Sequence, residues 1–336
     1  MSSIIGWDIG GVNIKAARLE RGDVRVALEP FELQRAPDRL APTLAAVAAG
    51  LGATGAERHA VTMTAELSQF FRTKREGVDF IVRALAAAFP ADRLSIFGTD
   101  GRFRSVSDAR REPLSVAAAN WMATAAFVAQ TVPTGLLVDI GSTTTDVIPL
   151  VEGKVVALGR TDPERLATGE LAYTGALRTP TEAVAPHVPF RGSSAGVSAE
   201  GFAIMGDVYL WLGALAVEDY TVPAPDGRPA DRNFAGERLA RVVCADREML
   251  ADAEVDAIAR ALADAQAAAV AEAIRRVVAR YPSITTAVVT GLGDFIAARA
   301  AAQAGLAVTR LGERLGDAAA RSAPAVAVAM LLEQTR

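Results

Sequence analysis

The chain writes one figure twice. IIGWDIGGVNIK (4–15) runs an apolar strand into Asp-Ile-Gly, a second small residue and an alternating tail, and LLVDIGSTTTDV (136–147) repeats it. Set in register, Asp8 falls on Asp139, Gly10 on Gly141, Gly11 on Ser142, Asn13 on Thr144 and Lys15 on Asp146. A strand–turn–strand unit that recurs within one chain points to two similar lobes, because each copy needs a sheet of its own. At 336 residues the chain also exceeds what a single core usually holds. The expected division is an N-terminal lobe, 1–134, carrying the first turn, and a C-terminal lobe, 135–336, carrying the second.

The pattern around the two copies is that of an α/β protein. After the first turn, VNIKAARLE and DVRVALEPFEL alternate as strands, 36–56 reads as helix and HAVTMTAEL as strand. GVDFIVRALAAAFP is an amphipathic helix closed by Pro90, LSIFGTDGRF a strand and turn, and VAAANWMATAAFVAQTV a buried helix. Residues 160–235, rich in Thr, Pro, Gly and Arg, form an irregular insert, with TVPAPDGRPADRNF (221–234) as loop. Two Ala-rich helices are predicted over 246–281. AVVTGLGDF (287–295) then gives a strand entering Gly291-x-Gly293, and a last strand and helix follow.

The turns themselves carry the chemistry. An Asp at the carboxyl end of a strand, followed at once by Gly-Gly or Gly-Ser, puts a carboxylate beside exposed backbone N–H groups, a concave anion site whose usual guest is phosphate. Gly10, Gly11 and Asn13 in one copy, and Gly141, Ser142, Thr143 and Thr144 in the other, are the predicted diphosphate ligands. Lys15 adds a cation. A carboxylate beside a phosphate repels it unless a metal intervenes, so Asp8, Asp139 and Asp146 are expected to hold Mg²⁺. Two such turns facing each other across a cleft would clasp a di- or triphosphate, one bringing Lys15 and the other Asp146.

Composition excludes several other classes. The net charge is −4 and the 35 Lys+Arg residues, nearly all arginine, lie scattered, which is not the basic face of a nucleic-acid binder. The single cysteine, Cys244, rules out intrachain disulfides and Cys-rich zinc sites and is expected to be a small buried hydrophobe. His59 and His187 fit no zinc spacing. No leader or membrane-length apolar run is present, so a cytoplasmic protein acting on small molecules is expected, without a membrane or nucleic-acid partner and with a homo-oligomer left open.

The order of phosphate-type turn, phosphate-type turn and Gly291-x-Gly293 resembles the ASKHA superfamily of actin, sugar kinases and Hsp70, a duplicated ribonuclease H-like fold with two lobes about a cleft. DIGSTTTDV looks most like its hydantoinase/oxoprolinase branch. TMTAELSQFFRTKREGV (62–78), FGTDGRF (97–103), AAANWMATA (117–125), ELAYTGALRTP (170–180) and GFAIMGDVYLWLG (201–213) resemble a small family within that branch. These are the methanofuran-biosynthesis condensing enzymes of the tetrahydromethanopterin-linked one-carbon pathway, and the resemblance runs nearly end to end. It implies a transferase that joins an aminomethylfuran-methyl diphosphate to a phenol oxygen of a glutamyl-tyramine or tyrosine derivative, releasing diphosphate. In a methylotroph the product would be a methylofuran. It also implies a Mg²⁺ and no need for ATP, although ASKHA proteins usually bind ATP; an ATP-dependent kinase or a hydantoinase/oxoprolinase-type hydrolase is the alternative.

The phenol, with an ordinary pKa near 10, needs a proton acceptor as it attacks. Glu66, Asp100 and Asp207 are the candidate bases, so that Lys15, Asp8, Asp139, Glu66 and Asp100 form the expected catalytic set and Asp207 also reads as a substrate contact. Asn120, Tyr173, Arg178, Gly291 and Gly293 complete the expected substrate contacts, with Trp121 as core. Arg72, Lys74 and Arg75 stand as either a solvated basic face or anion ligands.

Overall fold

The computed structural model describes residues 3–335. Contacts gather the chain into two compact units, Met1–Leu137 with Ile148–Ala167 and Arg310–Arg336, and Val138–Val147 with Thr168–Thr309. The single boundary after residue 134 is therefore replaced by several, because two later stretches pack back onto the first unit.

The first unit is built on a six-stranded sheet: β1 (Ile4–Ile9), β2 (Asn13–Glu20), β3 (Asp23–Pro30), β4 (Arg58–Met63), β5 (Leu94–Phe97) and β6 (Phe103–Arg104), ordered β3-β2-β1-β4-β5-β6. β1 pairs antiparallel with β2 and parallel with β4. Strand alternation sorts β1 into two faces. Ile5, Trp7 and Ile9 join a core with Leu40 and Leu44 of the helix Leu40–Gly50 and with Val78, Ile81, Val82 and Leu85 of the helix Lys74–Ala88. On the opposite face the C-terminal helix Ala323–Gln334 lies on β1, β2 and β4. It comes so near that a Cβ on Gly6 would stand 1.9 Å from the Ala325 carbonyl oxygen. Only glycine fits there.

A buried ring stack closes this core. Trp7 Nε1 donates to His59 Nδ1 at 3.2 Å, and the Phe89 ring packs on His59 with centroids 4.0 Å apart. Burial pulls the His59 imidazole down to about 4, against the raising pull of Glu57. The fold thus favours neutral His59, and stability is lost as pH falls from the unfolded value of about 6.5 to the folded value, about 3 kcal/mol in all. His59→Gln is expected to remove that acid-side loss, read as a flatter urea midpoint between pH 7 and 4.5 than in the wild type.

A second sheet comprises β7 (Gly135–Ile140), β8 (Thr145–Val151), β9 (Lys154–Val155), β10 (Leu171–Ala172), β13 (Thr286–Thr290) and β14 (Ala307–Arg310), ordered β10-β8-β7-β13-β14 with β9 on β8, and β11 (His187–Phe190) and β12 (Ser193–Gly196) form a separate hairpin. The two helices expected over 246–281 are one, Asp252–Val278, of 27 residues. Its buried stripe, Val255, Ile258, Leu262, Gln266 and Val270, continues without a Gly or Pro to break it. The loop predicted over 221–234 ends early: Asp231 caps a helix at Arg232–Arg241 by accepting from the Phe234 N–H.

Candidate functional site

The two copies fold alike. Gly10 N–H donates to the Asn13 carbonyl at 2.9 Å, and Gly141 N–H donates to the Thr144 carbonyl at 2.9 Å. A second segment backs each turn. Phe31 and Leu33 donate their N–H groups to the Val12 and Gly11 carbonyls, and Ala176 donates to Gly141 while Leu177 and Arg178 both donate to Ser142. In a trans peptide the N–H lies anti to the carbonyl. The amides of Val12 and Asn13 in one turn, and of Ser142 and Thr143 in the other, are therefore turned away from the backing segments, the arrangement that binds oxyanions. Asn13 Oδ1 is buried with no hydrogen-bond partner among the described residues.

Charge is distributed unequally. In the first copy Asp8 and Lys15 face each other across the β1–β2 register, with Oδ2 to Nζ at 4.0 Å and Asp8 6% exposed. In the second copy both positions are acidic, and Asp139 and Asp146 are 8% and 6% exposed. Among the described residues no group of three or more His, Cys, Asp or Glu side chains is gathered to hold a metal by itself. Magnesium does not require one, since it is commonly held by one or two carboxylates with phosphate oxygens and water completing the shell. Buried hard-oxygen donors beside an anion cradle fit that ion.

The third Gly turn is packed against the second. Gly293 N–H donates to the Ile140 carbonyl at 2.9 Å. A Cβ on Gly291 would lie 2.4 Å from Asp139 Oδ1 and from the Ile140 carbonyl oxygen, and its φ is +92°. Both glycines thus have a packing reason to be glycine, and Gly291 sets the environment of the Asp139 carboxylate.

Glu66 stands out among the candidate bases. It lies just past β4, in the short turn Ala65–Leu67, and Thr64 before it accompanies the first turn, its N–H bonded to the Ile9 carbonyl. The side chain is fully buried and neither oxygen accepts a hydrogen bond among the described residues. Lys74 Nζ is 3.7 Å from Oε1 but is drawn to Asp162, 2.6 Å away. Burial pushes Glu66 up to about 7, against the lowering pull of Lys74. A carboxyl so tuned exchanges protons near neutrality.

The other expectations fare differently. Asp207, read as a base and substrate contact, is closed off from solvent. It is wholly buried, accepting from Arg238 Nε at 2.8 Å, Tyr220 Oη at 3.0 Å and the Ile204 N–H at 3.0 Å, and it ties the insert together. Asp100 is gripped by both terminal nitrogens of Arg104, at 2.9 and 3.0 Å, which holds its carboxyl below the usual range and leaves it a poor base. Asn120 opens the helix Asn120–Ala129, half-buried, while Trp121 is core, under the Arg165 guanidinium at 4.3 Å. Tyr173 is 64% exposed, on the segment that backs the second turn. Lys74 is ion-paired, whereas Arg72 and Arg75 are exposed. Cys244 is also exposed, three residues past the helix Arg232–Arg241, in the left-handed region with φ of 57°. No helix among the described residues is long and apolar enough to cross a membrane.

Sequence reading missed Asp162 and Gln266. Gln266 was discoverable, being the one polar residue on the buried stripe of its helix. Asp162 gave no signal, since only folding carries it 88 positions back to Lys74.

The hydantoinase/oxoprolinase family model matches residues 57–335. The chain belongs to the hydantoinase/oxoprolinase family. Within reach of this family lies a relative from Methanocaldococcus jannaschii, 36% identical over 98% of both chains, named (4-{4-[2-(gamma-L-glutamylamino)ethyl]phenoxymethyl}furan-2-yl)methanamine synthase. A Methanococcus vannielii protein of the same name is 35% identical, covering 62% of this chain and 96% of its own. Among solved structures, a nucleotide-free acetone carboxylase aligns with a TM-score of 0.60 at 12% identity, covering 97% of this chain and 70% of that one. The ethanolamine utilization protein EutJ from Carboxydothermus hydrogenoformans aligns at 0.50 and 14%, covering 98% and 90%. These two likenesses concern the α/β fold alone.

Proposed function

We infer that this chain is an enzyme of methanofuran-type biosynthesis, a transferase that joins a furanylmethyl group to a phenol oxygen. The observation that carries the reading is the 36% identity to the named synthase over 98% of both chains. That relative's name describes a phenoxymethyl ether between a furan bearing an aminomethyl group and a glutamylated tyramine. Making this ether from a furanylmethyl diphosphate forms one C–O bond and breaks another. The phenol oxygen attacks the methylene carbon, diphosphate leaves with the electron pair, and the phenol proton passes to a base.

The residues suit these needs. Each turn is assigned to phosphoryl oxygens on its own account, Gly10–Asn13 with Lys15 in one and Gly141–Thr144 in the other, where N–H groups and hydroxyls offset charge that grows as the bond breaks. Asp8 in one turn, and Asp139 with Asp146 in the other, are each assigned to Mg²⁺, which would neutralise the leaving diphosphate. Glu66 is assigned as proton acceptor. Of the three carboxyls weighed for that task it alone is neither locked in a bidentate ion pair nor committed to holding the insert.

The finer reading is a cytoplasmic enzyme of a methylotroph that makes methylofuran. It is tested by offering a glutamyl-tyramine and a tyrosine-derived phenol side by side with the furan diphosphate and Mg²⁺, following diphosphate release and the new ether by mass. Ether formation without ATP supports the reading. ATP hydrolysis or phosphoryl transfer, with no ether from either phenol, would return the chain to the kinase and hydrolase chemistry of its superfamily.

A further inference from the structure

The repeat leaves an asymmetry unexplained. Where the first turn has Lys15, the second has Asp146, so the second copy meets its anion with two carboxylates and no cation of its own strand. A phosphate there is repelled unless positive charge arrives from elsewhere. A metal supplies part of it, but the backing segment carries another source.

We propose that Arg178 is the second turn's counterpart of Lys15, a cationic ligand to an oxygen of the leaving diphosphate, held in place by a buried network centred on Gln266. The assignment rests on the reading of Gly141–Thr144 as a diphosphate site. Arg178 donates its backbone N–H to the Ser142 carbonyl at 2.9 Å, so its Cα is fixed one hydrogen bond from the turn, well within a guanidinium's reach. Its side chain is exposed, and among the described residues no carboxylate pairs with it, unlike Arg191, Arg228, Arg260 and Arg299. To meet the anion the side chain extends past the backing segment to the face where the turn's N–H groups point, and a guanidinium placed there binds phosphate through two parallel N–H···O bonds.

The network explains why the segment keeps its place. Gln266 Nε2 donates to Thr174 Oγ1 at 2.7 Å and to the Gly175 carbonyl at 2.9 Å. Tyr209 Oη donates to Gln266 Oε1 at 2.6 Å, which orients the amide so that its nitrogen faces the segment. Thr145 Oγ1 donates to the Thr174 carbonyl, and Gly175 N–H donates to Thr179 Oγ1. Gly175 is pressed so tightly on the turn that a Cβ there would stand 2.5 Å from Thr143 N. Every link runs toward residues 174–179 and thence to the turn. Gln266 is a positioning residue, and Arg178 is the one that touches the ligand.

The test is calorimetric titration of inorganic diphosphate with Mg²⁺ into the full chain, paired with KM for each substrate. Arg178→Gln is expected to weaken diphosphate about 10-fold, the scale of one charge-assisted contact, and to leave KM for the phenol unchanged. Arg178→Lys should recover part of the loss. Gln266→Leu should weaken diphosphate too, and less than additively when combined with Arg178→Gln. If Arg178→Gln binds diphosphate as the wild type does, the proposal falls, whether KM for the phenol rises or not. A wild type that binds no diphosphate instead overturns the reading of the turn itself. Arg178 is exposed, so the decisive variant does not depend on the folding of the buried network.

Discussion

Asp139→Asn is expected to lower turnover by about 10²–10³-fold while leaving the fold intact. Asparagine keeps the volume that Gly291 accommodates, with its Cα hydrogen standing against Asp139, so the third turn should stay in place. What changes is charge. If Asp139 holds Mg²⁺, the amide is a weaker ligand, and the variant binds diphosphate poorly at Mg²⁺ concentrations that saturate the wild type. If Asp139 only packs, removing a negative charge beside an anion site strengthens diphosphate binding in the absence of Mg²⁺ and leaves the rate near normal. The two cases differ in sign, so calorimetry with and without Mg²⁺ separates them. Asp8→Asn should behave likewise, and near-normal turnover in either variant would sink the metal assignment.

The second large effect belongs to Glu66→Gln. With the base removed and the volume kept, kcat/KM should fall about 10²–10⁴-fold. The wild-type profile should rise with pH through about 7, because the acceptor works only when ionised. The variant should lack that limb. Stability should move the other way. At pH 8 the folded wild type carries an ionised carboxyl with no hydrogen bond to either oxygen, a burden that disappears as pH falls from about 7 to the unfolded value of 4.5. Glu66→Gln should therefore be more stable than the wild type at pH 8, by about 3 kcal/mol from the size of that shift, and the gap should close by pH 4.5. A variant that is slower and more stable marks a group kept for chemistry. One that is slower and less stable at pH 8 would mark Glu66 as structural. Asp100→Asn, by contrast, should change the rate little, since Arg104 already occupies its carboxylate.

How much of this was legible beforehand depended on whether the signal was local. Asp8–Lys15 and Asp139–Asp146 each sit within one strand–turn–strand, so chain order alone revealed the turns and their shared figure. The strands flanking them followed from alternation. Asp207 misled because a carboxylate beside small residues read as a base open to substrate, whereas Arg238 and Tyr220, distant in sequence, enclose it. Lys74 showed itself only as part of a basic run. Its meaning came from Asp162, and the 88 positions between them leave no periodic trace. The helix at Asp252–Val278 was divided too readily because its length alone suggested two. Gln266 was overlooked within it, although a lone amide among Val255, Ile258, Leu262 and Val270 is the kind of polar group that a core admits only when it is fully satisfied.

The fit of Gly6 beneath the Ala325 carbonyl bears on how the molecule comes into being. During synthesis the strand that leads into the first turn emerges long before the helix that covers one of its faces. Residues 168–309 leave the ribosome as a nearly complete body while β1, β2 and β4 still present Ala17 and Gly6 to water. Domains tend to settle as units during translation, and an uncovered sheet face is prone to misassociation. The helix Ala323–Gln334 therefore acts as a latch: until it docks, the turn that begins two residues beyond Asp8 rests on a half-built sheet, and a frameshift that replaced this helix would disable a site encoded far upstream of it.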